Sequence, residues 1–159
     1  MKKIIIISFL LLIILPSLCL SVDNNKTNIP IKYIWRSGIF IGVLVSKDTT
    51  DKQLESLIYK FREAKKFHYL QNIVPAITLG PNKDQYAPIS ILVFSDPKWA
   101  TLDQNNKYIH TRGPDIIARS YLNHIRASYE YSLIESKEES GAIGYDEGGL
   151  RSVHYKELF

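Results

Sequence analysis

Apolar and polar residues alternate along this chain with periods that change from segment to segment. Ile39 to Val45 is almost unbroken apolar sequence (Ile, Phe, Ile, Gly, Val, Leu, Val). A short run rich in β-branched residues predicts a strand buried on both faces. After Ser46-Lys47-Asp48 the period lengthens. Leu54, Leu57, Ile58 and Phe61 recur at i, i+3, i+4 and i+7, and Lys52, Glu55, Lys60, Arg62 and Glu63 fall off that stripe. This is an amphipathic helix. Thr50 followed three residues later by Gln53 has capping-box spacing and marks its start.

Pro75 to Pro88 reads as a loop, punctuated by Gly80-Pro81-Asn82, and Ile89 to Phe94 as a second buried strand. Asp96 before Pro97 has the form of an N-cap with proline at the first helical position, so a short helix carrying Trp99 and Leu102 is expected. Asp103 to Pro114 is polar and reads as loop, and Ile116 to Leu122 as a short helix. From His124 the period falls to two. Ile125, Ala127, Tyr129, Tyr131 and Leu133 face one way, and His124, Arg126, Ser128, Glu130 and Ser132 the other. The last stretch holds Gly141, Gly144, Gly148 and Gly149, half of the chain's eight glycines, and is expected to be rich in loops. No internal repeat is present.

Strand, helix and strand in that order imply a parallel crossover. The expected fold is α/β (α+β), a two-layer sandwich with a small mixed sheet. It has a β-α-β crossover and a later antiparallel or edge strand.

The N-terminus belongs to a different regime. Lys2 and Lys3 precede a run from Ile4 to Leu15 that is apolar except for Ser8, and Pro16 then ends it. Cys19 and Ser21 are small residues where a signal peptidase reads, so residues 1–21 are expected to be a signal peptide cleaved before Val22. The apolar run spans about 18 Å as helix, short of a hydrocarbon core of about 30 Å. Retention as an N-terminal membrane anchor is the alternative. Lipidation at Cys19 is disfavoured by the bulky Leu18 before it. Residues 22–33 read as a flexible spacer with a sequon at Asn25, and residues 34–159 as a single α/β domain.

Cleavage changes the chemistry available. The formal charge falls from +4 to +2, since two lysines leave with no acidic residue. The single cysteine also leaves, so no disulfide, thiolate metal site or cysteine nucleophile remains. A domain of this size can bury about two-thirds of its unfolded surface and must stand on that core. The longest basic runs, Lys2-Lys3 and Lys65-Lys66, are too short to suggest a nucleic-acid partner, and Lys65-Lys66 reads as ordinary solvated surface.

Familiar catalytic signatures are missing. There is no GxxxxGK[ST] loop, GxGxxG, GxSxG elbow or HExxH, and His68, His110, His124 and His154 lack metal-ligand spacing. No cofactor is expected. Three constellations remain. Pro114-Asp115 with Glu135-Ser136-Lys137 fits the loose carboxylate pattern of metal-dependent phosphoester hydrolases. There Asp115 and Glu135 would hold the cation and Lys137 would steady developing charge. His124, Arg126, Ser128 and Glu130 share one strand face and offer acid–base and anion-binding groups, or simply a polar strand face. Asp48 and Asp96 follow buried strands and precede helices, where a cation can sit or a carboxylate simply caps. Tyr129 and Tyr131 belong to a tyrosine-rich segment suited either to binding or to packing.

The reading these features support is an exported, non-enzymatic module that binds an unknown protein or envelope component, periplasmic or secreted. It would touch the membrane only transiently, through its signal peptide. A phosphoester hydrolase and a membrane-anchored structural component are the alternatives.

Overall fold

The computed structural model describes residues 29–78, 86–110, 116–132 and 139–159. The expected signal peptide, Cys19, the sequon and the loop expected at Gly80-Pro81-Asn82 lie outside these residues.

The chain builds a six-stranded mixed sheet. β1 (Lys32–Ser37) turns through Gly38 and Ile39 into β2 (Phe40–Leu44), its antiparallel partner. Gly38 has φ 59°, a left-handed value that glycine adopts without a Cβ penalty. α1 (Asp51–Lys66) then crosses over to β3 (Ile89–Phe94), which pairs parallel to β2, with the short α2 (Leu70–Ile73) on the way. α3 (Leu102–His110) and α4 (Ile116–Leu122) lead to β4 (Ile125–Tyr131), antiparallel to β3. β5 (Glu139–Ile143) extends the sheet, β6 (Asp146–Glu147) and β7 (Leu150–Arg151) form a separate hairpin, and β8 (Lys156–Glu157) closes the far edge. This is an open mixed α/β fold, with the crossover and the later antiparallel strand that the periodicities imply.

Every residue of β3 is buried. Ile89, Ile91 and Val93 pack on one side under α1, which contributes Leu54, Leu57, Ile58, Phe61 and Ala64. Leu92 and Phe94 pack on the other with Tyr108 of α3 and Tyr121 and Leu122 of α4. Behind the sheet, α3, α4 and the β6–β7 hairpin thus add a second cover beyond the expected two layers. β4 is interior to the sheet, between β3 and β5.

The local start signals are realised at α1. The Thr50 side chain accepts from the Gln53 N–H, and the Gln53 side chain accepts from the Thr50 N–H. The helix expected after Asp96 is instead a turn. Asp96 Oδ1 accepts from the Lys98 N–H at 2.9 Å, and its carbonyl accepts from Trp99 and Ala100. The helix begins five residues on. The Thr101 hydroxyl accepts from the Gln104 N–H at 3.2 Å, so α3 occupies the stretch from Asp103 onward that its polarity assigns to loop. Of the residues assigned to the spacer, Ile29 is buried and Lys32 and Tyr33 belong to β1.

One close approach ties the hairpin to the second cover. Trp35, 6% exposed, lies across Gly42, where a Cβ would stand 2.3 Å from the indole Cε2. Both cannot occupy that space without repacking, which costs about 1–3 kcal/mol. Gly42→Ala is therefore expected to lower thermal stability by that amount and to alter Trp35 fluorescence. Unchanged melting with unchanged emission would contradict this packing.

Candidate functional site

The β4 row read as one solvent-facing surface is divided by the structure. The register slips between Val93 and Phe94, whose partners are Ala127 and Ile125, so Arg126 is an extra residue in the ladder. Such a bulge re-aims side chains. Ile125 consequently joins the second-face core rather than packing with Ala127, Tyr129 and Tyr131. Arg126 reaches the start of α1, donating to the Thr49 carbonyl at 3.1 Å and to Asp51 Oδ1 at 3.0 Å. It also donates to Ser95 Oγ at 3.3 Å. His124 stacks on Trp99, ring centroids 4.0 Å apart, and burial lowers its pKa, partly opposed by Asp96.

Ser128 and Glu130 keep the second face but not as a wet row. Ser128 is buried and donates to the Gly144 carbonyl at 2.9 Å. Glu130 accepts from Ser90 Oγ at 2.8 Å. Burial raises its pKa, hydrogen bonds from Ser90 and Tyr145 act against that, and the charges of Glu147 and Asp146 add to the rise. Tyr108 donates to Glu147, Tyr121 donates to Asn105 Oδ1 at 3.3 Å, and burial holds the Tyr145 hydroxyl firmly protonated. This network knits α3, α4 and the hairpin to the sheet. Tyr129 and Tyr131 are core residues on the opposite face, with Tyr129 6.1 Å from Phe61 and donating to Glu139 at 2.7 Å. They form no exposed tyrosine surface.

Asp48 and Asp96 do follow adjacent parallel strands. Asp96 spends its carboxylate on the turn after β3, and α1 is capped by Thr50 rather than Asp48. Among the described residues no group of three or more His, Cys, Asp or Glu side chains could hold a metal ion. Asp115, Glu135 and Lys137 lie outside the described residues.

A concave surface lies elsewhere, at the C-terminal end of α1. A depression of about 710 Å³ gathers Arg62, Lys65, Lys66 and His68 with the rings of Phe67 and Tyr131, and Glu63 and Glu139 stand in its wall. The helix places the cations: Arg62, Lys65 and Lys66 are spaced i, i+3 and i+4 and so share a face. Strand pairing brings Tyr131 and Glu139 opposite one another. Lys65 Nζ lies 3.9 Å over the Tyr131 ring and 3.8 Å from Glu139, while Arg62 Nε lies 3.7 Å from the same carboxylate.

The helix ends here in a Schellman motif. The His68 N–H donates to the Lys65 carbonyl at 3.2 Å and the Tyr69 N–H to the Ala64 carbonyl at 2.8 Å. The residue following the C-cap is normally glycine, yet this chain has His68 at φ 59°. A side chain in that conformation costs roughly 1–2 kcal/mol. The imidazole stacks on Tyr86, centroids 6.2 Å apart, and Tyr86 is fixed by hydrogen bonds to the Leu70 N–H and Gln71.

Compared with models of known families, with curated proteins and with solved structures, the chain matches none of them. No helix among the described residues is long and apolar enough to cross a membrane.

The Glu130 network makes a stability prediction. A carboxyl pKa raised on folding contributes stability that is fully present below the ordinary value of 4.5 and is lost as pH rises through the folded value. Glu130→Gln keeps an acceptor for Ser90 and removes the charge. Its melting temperature relative to the parent is expected to be higher at pH 8 than at pH 4.5. A difference independent of pH would show that burial does not load this carboxyl.

Proposed function

We propose that the protein is an exported, non-enzymatic binding module of the cell envelope or extracellular space. Its recognition surface is the depression at the C-terminal end of α1. One observation carries this reading: three basic side chains and a histidine converge with the exposed ring of Phe67 and the buried ring of Tyr131 in a single concavity. Cations and aromatic groups together in a concave surface are suited to holding a partner. The leader supports export, since residues 1–21 have the charge, apolar length and small-residue positions that a signal peptidase reads.

The second-face network supports a structural rather than a chemical role for the Glu130 carboxylate. Glu130 is held by Ser90 and Tyr145. Arg126 is likewise committed to the start of α1.

Two measurements test the proposal. The intact mass of the protein recovered from outside the cytoplasm is expected to lack residues 1–21, and a full-length mass would favour the anchored alternative. In co-sedimentation with isolated cell envelopes, the protein is expected to pellet, and Phe67→Asp combined with Lys66→Glu to raise the apparent Kd at least about tenfold. That ratio corresponds to about 1.4 kcal/mol. Equal pelleting of parent and variant would remove the depression from the function.

A further inference from the structure

Resting on that reading, we infer that the depression at the end of α1 is an oxyanion site. It takes a phosphate group, and His68 is one of the side chains that touches it. The choice of an anion over a sugar or a cation follows from what already covers the rings. Lys65 lies over Tyr131 at 3.9 Å, Arg62 over Phe159 at 4.0 Å, and Lys66 over Phe67 at 5.6 Å. An entering group therefore meets the Lys65 ammonium over the buried Tyr131 ring and the Lys66 ammonium beside the exposed Phe67 ring.

The acidic charge in the wall, from Glu63 and Glu139, does not use up those cations. Glu139 serves both Arg62 and Lys65, at 3.7 and 3.8 Å, which are ion-pair distances too long for hydrogen bonds. Its Oε1 is engaged by the Tyr129 hydroxyl at 2.7 Å. The N–H donors of Arg62 and Lys65 are thus left for a ligand oxygen, and such charge-assisted bonds are the strong kind. A concave wall concentrates their field further.

Basic residues also complement the dipole at any helix C-terminus. Two features go beyond that role. Arg62 stands a turn before the end, and His68 occupies a left-handed position where glycine would relieve strain. The carbonyls of Glu63, Ala64 and Lys65 are already served by the N–H groups of Phe67, Tyr69 and His68. Retaining an imidazole at a strained position is understandable if its ring N–H faces the ligand.

The test titrates inorganic phosphate into the purified protein at constant ionic strength. NMR follows the His68 ring and the amides of residues 65–69. Saturable shifts confined to this region are expected. Lys65→Glu should abolish them. His68→Gly should raise the melting temperature by about 3 °C while weakening phosphate at least tenfold. His68→Asn tolerates the left-handed region and should also weaken binding, which separates the ring's contact from its strain. Vesicles of phosphatidylglycerol against phosphatidylcholine then distinguish a lipid-borne phosphate from the free ion. Absence of saturable shifts would overturn the oxyanion inference. So would unimpaired binding by both His68 variants, as regards the residue. Envelope pelleting that still depends on Phe67 and Lys66 would in either case leave the broader reading standing.

Discussion

The fold depends on burying a strand on both faces. β3 exposes none of its six residues, so the sheet must be covered twice. One cover is α1, a single long helix whose apolar stripe matches the face of Ile89, Ile91 and Val93. The other is assembled from smaller parts: two short helices, a two-residue hairpin and the indole of Trp35. Polar atoms are unavoidable in an assembled cover, because helix ends and loops come with it. The network of Ser90, Glu130, Tyr145, Tyr108 and Glu147 satisfies many of them, and Trp35 Nε1 and Asn105 Nδ2 find no hydrogen-bond partner among the described residues.

The same division separates structure from the candidate site. Carboxylates gathered on the second face are consumed in joining layers. On the first face the last turn of α1 carries Lys65 and Lys66 beside the end of β4 and the start of β5. Glu139 joins these regions, accepting from buried Tyr129 on one side and facing Arg62 and Lys65 on the other.

What could be read from the sequence is what local periodicity encodes. The stripe from Leu54 to Phe61, its Thr50–Gln53 cap, the runs forming β2 and β3, and Ile116–Leu122 are all near-neighbour patterns, and all appear at their expected places. The start of α3 was equally legible in Thr101 and Gln104, which repeat the Thr50–Gln53 spacing. The polar run from Asp103 to Asn106 masks it, since that helix is held by few anchors, Tyr108 and Asn105 among them. The bulge at Arg126 left no local mark, yet it divides the row from His124 to Glu130 into three environments. The depression is less legible again. Arg62, Lys65 and Lys66 show helical spacing, but Tyr131 and Glu139 reach them only through strand pairing, and the left-handed backbone of His68 is invisible in a one-dimensional pattern.

The most direct test of the central claim is hydrogen exchange of the protein free and bound to isolated envelopes. The account predicts new protection at residues 65–69 and at the start of β5 around Glu139, with the β6–β7 hairpin unchanged. Protection gained at Asp146–Arg151, with residues 65–69 exchanging as in the free protein, would contradict it and move recognition to the second face.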